Sequence, residues 1–234
     1  MERFAMLGKI VEKINGLFSE SLGALYDLIE KLLGGERHIW LAELKKFLRK
    51  EKCWIDIPKE IFTRLISGGE NLVLGAFDGT RTIAKSGNIF NAGIDSDFEN
   101  WGLNKKGKPT AEMSVEVHEI IKSGTFAQIF GAFFGASPDN MKFREFVEQY
   151  REDLRKLCMK SDDQIISFCE KFPEKLRKDG FGTFFLREDE DAGNFFVAFV
   201  DVYSGGLYVR VYEFENDHAW NADHRHRVVV PKLA

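Results

Sequence analysis

Three apolar stretches between residues 181 and 215 constrain the fold of this chain more than any other feature. They read FGTFFLRE, NFFVAFVDVY and LYVRVYEFE, and the segments between them, DEDAG and SGG, are typical of turns. A fourth stretch, RHRVVVP, ends at Pro231, which cannot donate to a ladder of backbone hydrogen bonds. Neighbouring Phe195 and Phe196 put apolar side chains on both faces of the predicted sheet, so this sheet requires cover on each side.

Helical spacing dominates the sequence before residue 181. Apolar residues at steps of three and four form a seam that predicts a helix or helix pair before Gly34 and Gly35. Further helices are predicted over about 37–50, 55–69, 110–124, 143–157 and 161–180. The sequence thus predicts an α+β protein, with N-terminal and central helices followed by a C-terminal antiparallel meander of about four strands packed on helices. The seam consists of Phe4, Leu7, Val11, Ile14, Phe18, Leu25, Leu28 and Leu32.

The hydrophobic pattern changes near residue 70. The stretch NLVLGAFDGTRTIAKSGNIF holds two short β-like runs on either side of Asp78 and Gly79, a pair that predicts a two-residue hairpin. We therefore predict a helical N-terminal region over 1–70 and an α+β domain over 71–234, with one continuous domain as the alternative.

The N-terminal seam has three interpretations. The helices can pack on their own domain, bind a second copy of the chain, or lie on a membrane surface. The polar face mixes both signs of charge rather than being strongly basic, which favours the first two over the third. The sequence contains no stretch of about 20 apolar residues that would span a bilayer, so we expect no membrane span.

Composition disfavours nucleic acid as a partner, because the net charge is −4 and phosphate binding would need a local basic patch. Three segments are candidates for such a patch: Lys45–Lys52, Asn104–Pro109 and His224–Arg227. The cysteines are Cys53, Cys158 and Cys169, an odd number without a C-x-x-C pair. This usage, and a first segment that lacks the apolar core of a signal peptide, predict a cytoplasmic protein with buried free thiols.

Several segments between residue 80 and residue 234 resemble segments shared by a group of uncharacterised bacterial proteins. They are TRTIAKSGNIFNAGIDSDFENWGLNKKGKPT, GTFAQIFGAFFG, DGFGTFFL and DHAWNADHRHRVVVP, of which the last is the most specific. The resemblance implies a bacterial, cytosolic origin. It implies no activity and transfers no catalytic residue.

The segment NDHAWNADHRHRVVVPKLA holds three of the five histidines and is the main candidate site. In an extended strand His224 and His226 share one face, while Arg225 and Arg227 share the other. Two imidazoles at positions i and i+2 can bind a divalent transition metal such as Zn. His218 or Asp223 can add a third ligand and leave a position open for water. The alternative is a polar strand end at the rim of the sheet, with the arginines paired to carboxylates.

Other candidate sites match their motifs less well. Asp95, Asp97 and Glu99 alternate as in a calcium loop, but Asn100 and Lys106 stand where that loop requires glycine and glutamate. Ser114 precedes His118 by one turn of the predicted helix, without a third group to mark a nucleophile. No phosphate-binding glycine motif, G-x-S-x-G or H-E-x-x-H is present in the sequence.

The sequence leaves open whether the chain is an enzyme. The first hypothesis is a non-enzymatic protein that binds a protein partner or self-associates, with no cofactor. The alternative is a small metal-assisted hydrolase centred on His218, His224 and His226, supported by Asp217 or Asp223. A weaker alternative is nucleic-acid binding through Arg225, Arg227 and the lysines near Lys105.

Overall fold

A computed structural model describes residues 19–35, 37–49, 61–138, 141–179, 181–189 and 191–233. The chain divides into two compact units, Met1–Pro58 and Lys59–Ala234.

The first unit contains two described helices, α1 (Ser19–Leu33) and α2 (Arg37–Leu48). α1 ends at Gly34, whose amide still donates to the carbonyl of Glu30 at 2.9 Å. The Lys31 ammonium lies 5.6 Å from the centroid of the Trp40 ring, so the two helices contact each other. The predicted helices are confirmed over Ser19–Leu33 and Arg37–Leu48. The helix predicted over 55–69 is wrong in its described part, because Thr63–Leu65 pairs there as a strand with residues 118–120. The earlier members of the seam and Cys53 lie outside the described residues.

The second unit is built on one large mixed sheet with helices and loops on both faces. Its strands, in chain order, are β1 (Thr63–Leu65), β2 (Leu72–Leu74), β3 (Gly93–Ile94), β4 (Met113–Ile120), β5 (Gly182–Asp189), β6 (Asn194–Tyr203), β7 (Gly206–Glu213) and β8 (Arg227–Pro231). Its α-helices are α3 (Asp97–Asn100), α4 (Phe126–Gly131), α5 (Phe143–Leu157) and α6 (Asp162–Lys171). Short 3-10 turns lie at Ile83–Lys85, Ala132–Phe134, Pro173–Lys175 and Ala222–His224.

The prediction of a four-stranded antiparallel meander is wrong. The protein is α+β, but the sheet has eight strands in the order β1-β4-β8-β5-β6-β7-β3, with β2 also paired to β4. β5 and β8 are parallel, as are β3 and β7, while the other pairs are antiparallel. β8 does not follow β7 at the sheet edge; it lies between β4 and β5. Since β8 occupies one side of β4, β1 and β2 share the other side.

The helix predicted over 110–124 is also wrong, because this segment forms β4. Val115 and Val117 are buried and alternate with the less buried Ser114, Glu116 and His118, which is the period of a strand. The β8 residues that pair with them alternate between the two faces of the sheet in the same way. The strand therefore places Ser114 and His118 four residues apart in an extended chain, about 13 Å, which rules out their pairing as nucleophile and base.

The hairpin predicted at Asp78 and Gly79 does not form. β2 pairs with β4 instead, and the second β-like run becomes the 3-10 turn Ile83–Lys85. The Asp78 carboxylate accepts hydrogen bonds from the amide and hydroxyl of Thr80, which closes a local turn. Gly79 has φ 77°, and a Cβ there would lie 2.6 Å from the carbonyl oxygen of Gly107, so both the turn and the close approach require glycine.

Two hydrophobic cores lie on opposite faces of the sheet, as its two-sided apolar strands require. The first core joins α4 and α5 to side chains such as Phe184 and Val228; the second joins α6 and the loops around Ile83, Phe90 and Phe98 to side chains such as Phe185 and Val229. Adjacent residues on one strand thus serve different cores.

Cys158 lies in the first core and Cys169 in the second. Both are buried free thiols, as predicted. Burial raises the pKa of Cys158 to about 12 and also raises the pKa of Cys169. The two side chains therefore serve as small core residues rather than as a redox pair.

Candidate functional site

The C-terminal segment Asn216–Leu233 alternates between exposed and buried positions. His218 is exposed, whereas Trp220 is buried and pairs its backbone with Gly124 at 2.8 and 3.2 Å. The chain then makes the 3-10 turn Ala222–His224 and passes through Arg225, which has φ 48°. The strand begins only at Arg227. The prediction that His224 lies on the strand is therefore wrong; it lies in the turn before it.

His226 is a core residue of this segment. It is 4% exposed and shares the face of Val228 and Val230, as the strand alternation predicted. Its Nδ1 accepts a hydrogen bond from the amide of Gly182 at 3.1 Å, which places the proton of the neutral ring on Nε2. Burial lowers the pKa of His226 to about 4, so the ring is neutral near pH 7.

Aromatic rings surround His226. Its ring stacks on Phe184 at 5.1 Å between centroids and meets Trp220 edge-on at 5.4 Å. Phe199 lies 5.7 Å away and stacks on Trp220 at 5.3 Å. A Cβ at Gly182 would lie only 2.3 Å from the Phe199 ring, so glycine is what lets this ring lie across the strand. These contacts are those of a packed aromatic core.

The other proposed histidine ligands pack against different aromatic rings. The His224 ring stacks on Phe181 at 4.5 Å and is 5.4 Å from the His226 ring, whereas the His218 ring packs against Trp220 at 4.9 Å. Asp223 is exposed. Within the described ranges, no three His, Cys, Asp or Glu side chains form a group that could hold a metal ion. The metal site at His218, His224, His226 and Asp223 remains a prediction.

The two arginines of this segment have separate roles. Arg227 donates to the carbonyl oxygens of Glu174 and Leu176 at 3.2 and 3.1 Å, which ties β8 to the chain after α6. Burial lowers the pKa of Arg227. Arg225 is exposed beside a cavity of about 360 Å³ that Arg64 and Glu119 also line. Only Arg225 of the pair is thus placed to meet a phosphate, and nucleic-acid binding through both arginines has no support in this arrangement.

A buried ion pair that the sequence pattern did not predict lies near the same aromatic core. Asp201 on β6 is 0% exposed and accepts a hydrogen bond from the Arg210 guanidinium on β7, while its Oδ1 has no hydrogen-bond partner. The guanidinium lies 4.7 Å from the Tyr208 ring centroid. Burial raises the pKa of Asp201 to about 6. An aspartate inside the apolar run NFFVAFVDVY was the signal that could have revealed it.

Perturbed pKa values of this kind often mark functional sites. His226 and Asp201, however, line none of four cavities found among the described residues. Their perturbation follows from burial in a packed core, which gives a substrate no access in this arrangement.

Two cavities border other parts of the sheet. The larger, about 340 Å³, lies between α5 and the ends of β6 and β7, against Phe143, Phe195 and Phe214, with exposed charged side chains at its mouth. The smaller, about 150 Å³, lies under the segment Asn104–Pro109, which we call the lysine loop, and reaches the start of α6 and the end of β5. The three acidic residues that resemble a calcium loop, Asp95, Asp97 and Glu99, line neither cavity. The Asp95 carboxylate accepts a hydrogen bond from the amide of Asp97, as in an ordinary acidic turn.

A row of exposed apolar side chains lies on the helices of the first unit. On α1, Tyr26 is 62%, Ile29 44% and Leu33 79% exposed; on α2, Leu41 is 45% and Leu48 71% exposed. None of the helices in the described part of the chain is long and apolar enough to cross a bilayer.

Comparison with known proteins adds no functional assignment. Neither a protein-family model, nor a curated protein, nor a solved structure matches this chain. The functional inference therefore rests on the geometry of the described residues.

Proposed function

We propose that this chain is a non-enzymatic protein that self-associates, with α1 and α2 forming the contact between two copies. The observation that carries the proposal is the exposed apolar row Tyr26, Ile29, Leu33, Leu41 and Leu48, which we call the helical row. Isolated exposed apolar residues are ordinary on protein surfaces, but several of them at helical spacing on neighbouring helices favour an interaction site.

The spacing of the helical row favours helix packing. Tyr26, Ile29 and Leu33 follow steps of three and four, and Leu41 and Leu48 are seven residues apart, so each set lies on one side of its helix. Leu28 and Leu32, which belong to the predicted seam, are half-buried instead. The helical row is thus a second apolar strip beside the one that is already partly covered.

The charges of the two helices favour a second copy of the chain as the occupant. Among the described side chains, α1 carries Asp27 and Glu30 beside Lys31, whereas α2 carries Arg37 and Lys45. If α1 of one copy packs on α2 of the other, opposite charges face each other twice, once on each side of a two-fold axis. A twofold arrangement of this kind closes and does not extend into a filament.

The location is part of the same proposal. The two described cysteines are buried free thiols, which fits a reducing bacterial cytoplasm.

Sedimentation equilibrium over a wide range of protein concentration tests the proposal. The wild-type chain is expected to approach twice its mass of 26.8 kDa. The double variant Ile29→Lys/Leu33→Lys is expected to stay at one chain mass, because two lysines would be buried at the contact. The control is Ile121→Lys/Leu233→Lys, which makes the same two substitutions at exposed apolar side chains of the second unit, 44% and 46% exposed.

Circular dichroism of each variant checks that the helices are retained. A wild-type chain that stays at one chain mass throughout overturns the proposal. So does a helical-row variant that associates as well as the control.

A further inference from the structure

The lysine loop covers a small cavity whose lining is dominated by charge. Lys105, Lys106 and Lys108 approach it from the loop, and Lys160 from the residue before the N-cap of α6. Arg187 on β5 lines its other side. Its volume, about 150 Å³, is that of a few water molecules and suits a small ion rather than a large organic ligand.

Most carboxylates around this cavity already have cationic partners. Asp162 pairs with Arg187, and Asp191 pairs with Lys105 at 2.8 Å. The carboxylate of Glu188 pairs with Arg155 at 2.8 Å. In contrast, Lys106 forms no ion pair within the described ranges. The pairing leaves positive charge in excess at the loop side of the cavity.

Ser161, another lining residue, has a buried hydroxyl without a partner. It is the N-cap of the ten-residue helix α6, where serine usually accepts a hydrogen bond from the first turn, but its side chain makes no such bond. The residue is only 6% exposed, and its Oγ has no hydrogen-bond partner. Its side chain faces the lysine loop: a Cβ on Gly107 would lie 3.1 Å from the Ser161 Cβ. A buried hydroxyl in this state costs free energy that an acceptor in the cavity would recover.

We propose that the cavity under the lysine loop binds a phosphate group, with the Ser161 hydroxyl donating to a phosphate oxygen and Lys106 and Lys160 neutralising its charge. The positive end of the α6 dipole adds to the same field. Phosphate suits the site better than a carboxylate because its oxygens point in several directions, toward the hydroxyl on one side and the lysines on the other. This inference is independent of self-association, since it involves the second unit alone.

Isothermal titration calorimetry with inorganic phosphate, against sodium chloride at equal ionic strength, tests the proposal. The wild-type chain is expected to show saturable binding at one site per chain. Ser161→Ala is expected to weaken binding about tenfold, the loss of one hydrogen bond to a charged group. Lys106→Gln is expected to weaken it several-fold, and its matched control Lys178→Gln, an exposed lysine outside the lining, to leave it unchanged.

A second readout separates binding from a structural effect of the serine. In phosphate-free buffer, Ser161→Ala is expected to melt at the same temperature as the wild type or higher, because the change removes an unpartnered buried hydroxyl. Added phosphate is expected to raise the melting temperature of the wild type more than that of the variant. Phosphate is also excluded from protein surfaces, which stabilises both proteins to the same extent, so the difference between the wild type and Ser161→Ala reports the site itself.

A further arm distinguishes the source of the phosphate group. If methyl phosphate binds as tightly as inorganic phosphate, the cavity accepts the end of a phosphate monoester; if only inorganic phosphate binds, the ligand is the free ion. The absence of saturable binding to either would overturn the proposal. Equal affinity of wild type, Ser161→Ala and Lys106→Gln would overturn it as well.

Discussion

The C-terminal segment and the lysine loop show opposite relations between a polar sequence and its environment. The C-terminal segment concentrates His218, His224 and His226 and suggests chemistry, yet the last of them, His226, is a neutral core residue among aromatic rings. The lysine loop resembles an ordinary surface turn, yet it borders a cavity whose lining includes Ser161, a residue with a buried, unpartnered hydroxyl. Residue type alone therefore does not separate a site from a core. Asp201 and Trp220 also have buried polar atoms without partners, but among the described residues only Ser161 combines such an atom with a charged cavity beside it.

The largest expected effect tests whether the C-terminal segment is core. Trp220→Ala is expected to lower the free energy of unfolding by about 3–5 kcal/mol, because it removes a ring that packs against Phe184, Phe199 and His226. His218→Ala, its exposed neighbour, is expected to cost less than about 1 kcal/mol. Urea denaturation measures both. Similar losses of stability from the two changes would show that the exposed His218 is as important to the fold as Trp220.

The second prediction uses the protonation of His226. Its pKa is about 4 in the folded chain, against about 6.5 in an unfolded one, so acidification protonates the unfolded state first. Stability attributable to this ring is therefore lost as the pH falls from about 7 to about 5, by about 1–2 kcal/mol. In His226→Phe this part of the pH dependence is expected to vanish.

Asp201 also changes its protonation in this pH range, so the pH profile of His226→Phe must be compared with that of the wild type. Its folded pKa, about 6, lies above the usual value of 3.8, so acidification below about pH 6 protonates the folded state first and raises stability. The wild-type profile combines both residues, and the difference between wild type and His226→Phe isolates the histidine. Parallel profiles for the two proteins would contradict the assignment.

The smallest expected effect separates the two arginines. Arg227→Met is expected to lower the free energy of unfolding by about 1 kcal/mol, because it removes the hydrogen bonds to Glu174 and Leu176. Arg225→Met is expected to stay within about 0.5 kcal/mol of the wild type, as is usual for an exposed side chain. Thermal denaturation of the pair measures the difference. A greater loss from Arg225 would show that the exposed turn, rather than the strand, secures this segment.

Local pattern predicted several elements correctly. α5, α6 and the strands β5 to β8 lie close to the predicted positions, because their apolar periods are long and unambiguous. The prediction for the segment that forms β4 was wrong for a physical reason. Its stretch MSVEVHEI combines residues that favour helices with two valines at a strand spacing, and only pairing with distant β8 decides between them.

Neither the order of the strands in the sheet nor the candidate cavity could be predicted from the local sequence pattern. Nothing in RHRVVVP indicates that the strand pairs with Met113–Ile120 on one side and Gly182–Asp189 on the other. Likewise, the pattern predicted a helix over 161–180, but it did not predict that the hydroxyl of the N-cap Ser161 lies buried and unpartnered beside the lysine loop. Both depend on contacts between residues far apart in the sequence.

The position of β8 has a consequence for synthesis of the chain. β8 comes after every other strand in the sequence but lies between β4 and β5. While a ribosome is still making residues 227–231, the strands before them can form only two separate sheet fragments, each with an unpaired inner edge. Such edges are templates for pairing with other chains. A nascent chain stalled before this strand would therefore be a target for chaperones. Once β8 is made, it would join the two sheet fragments in one step.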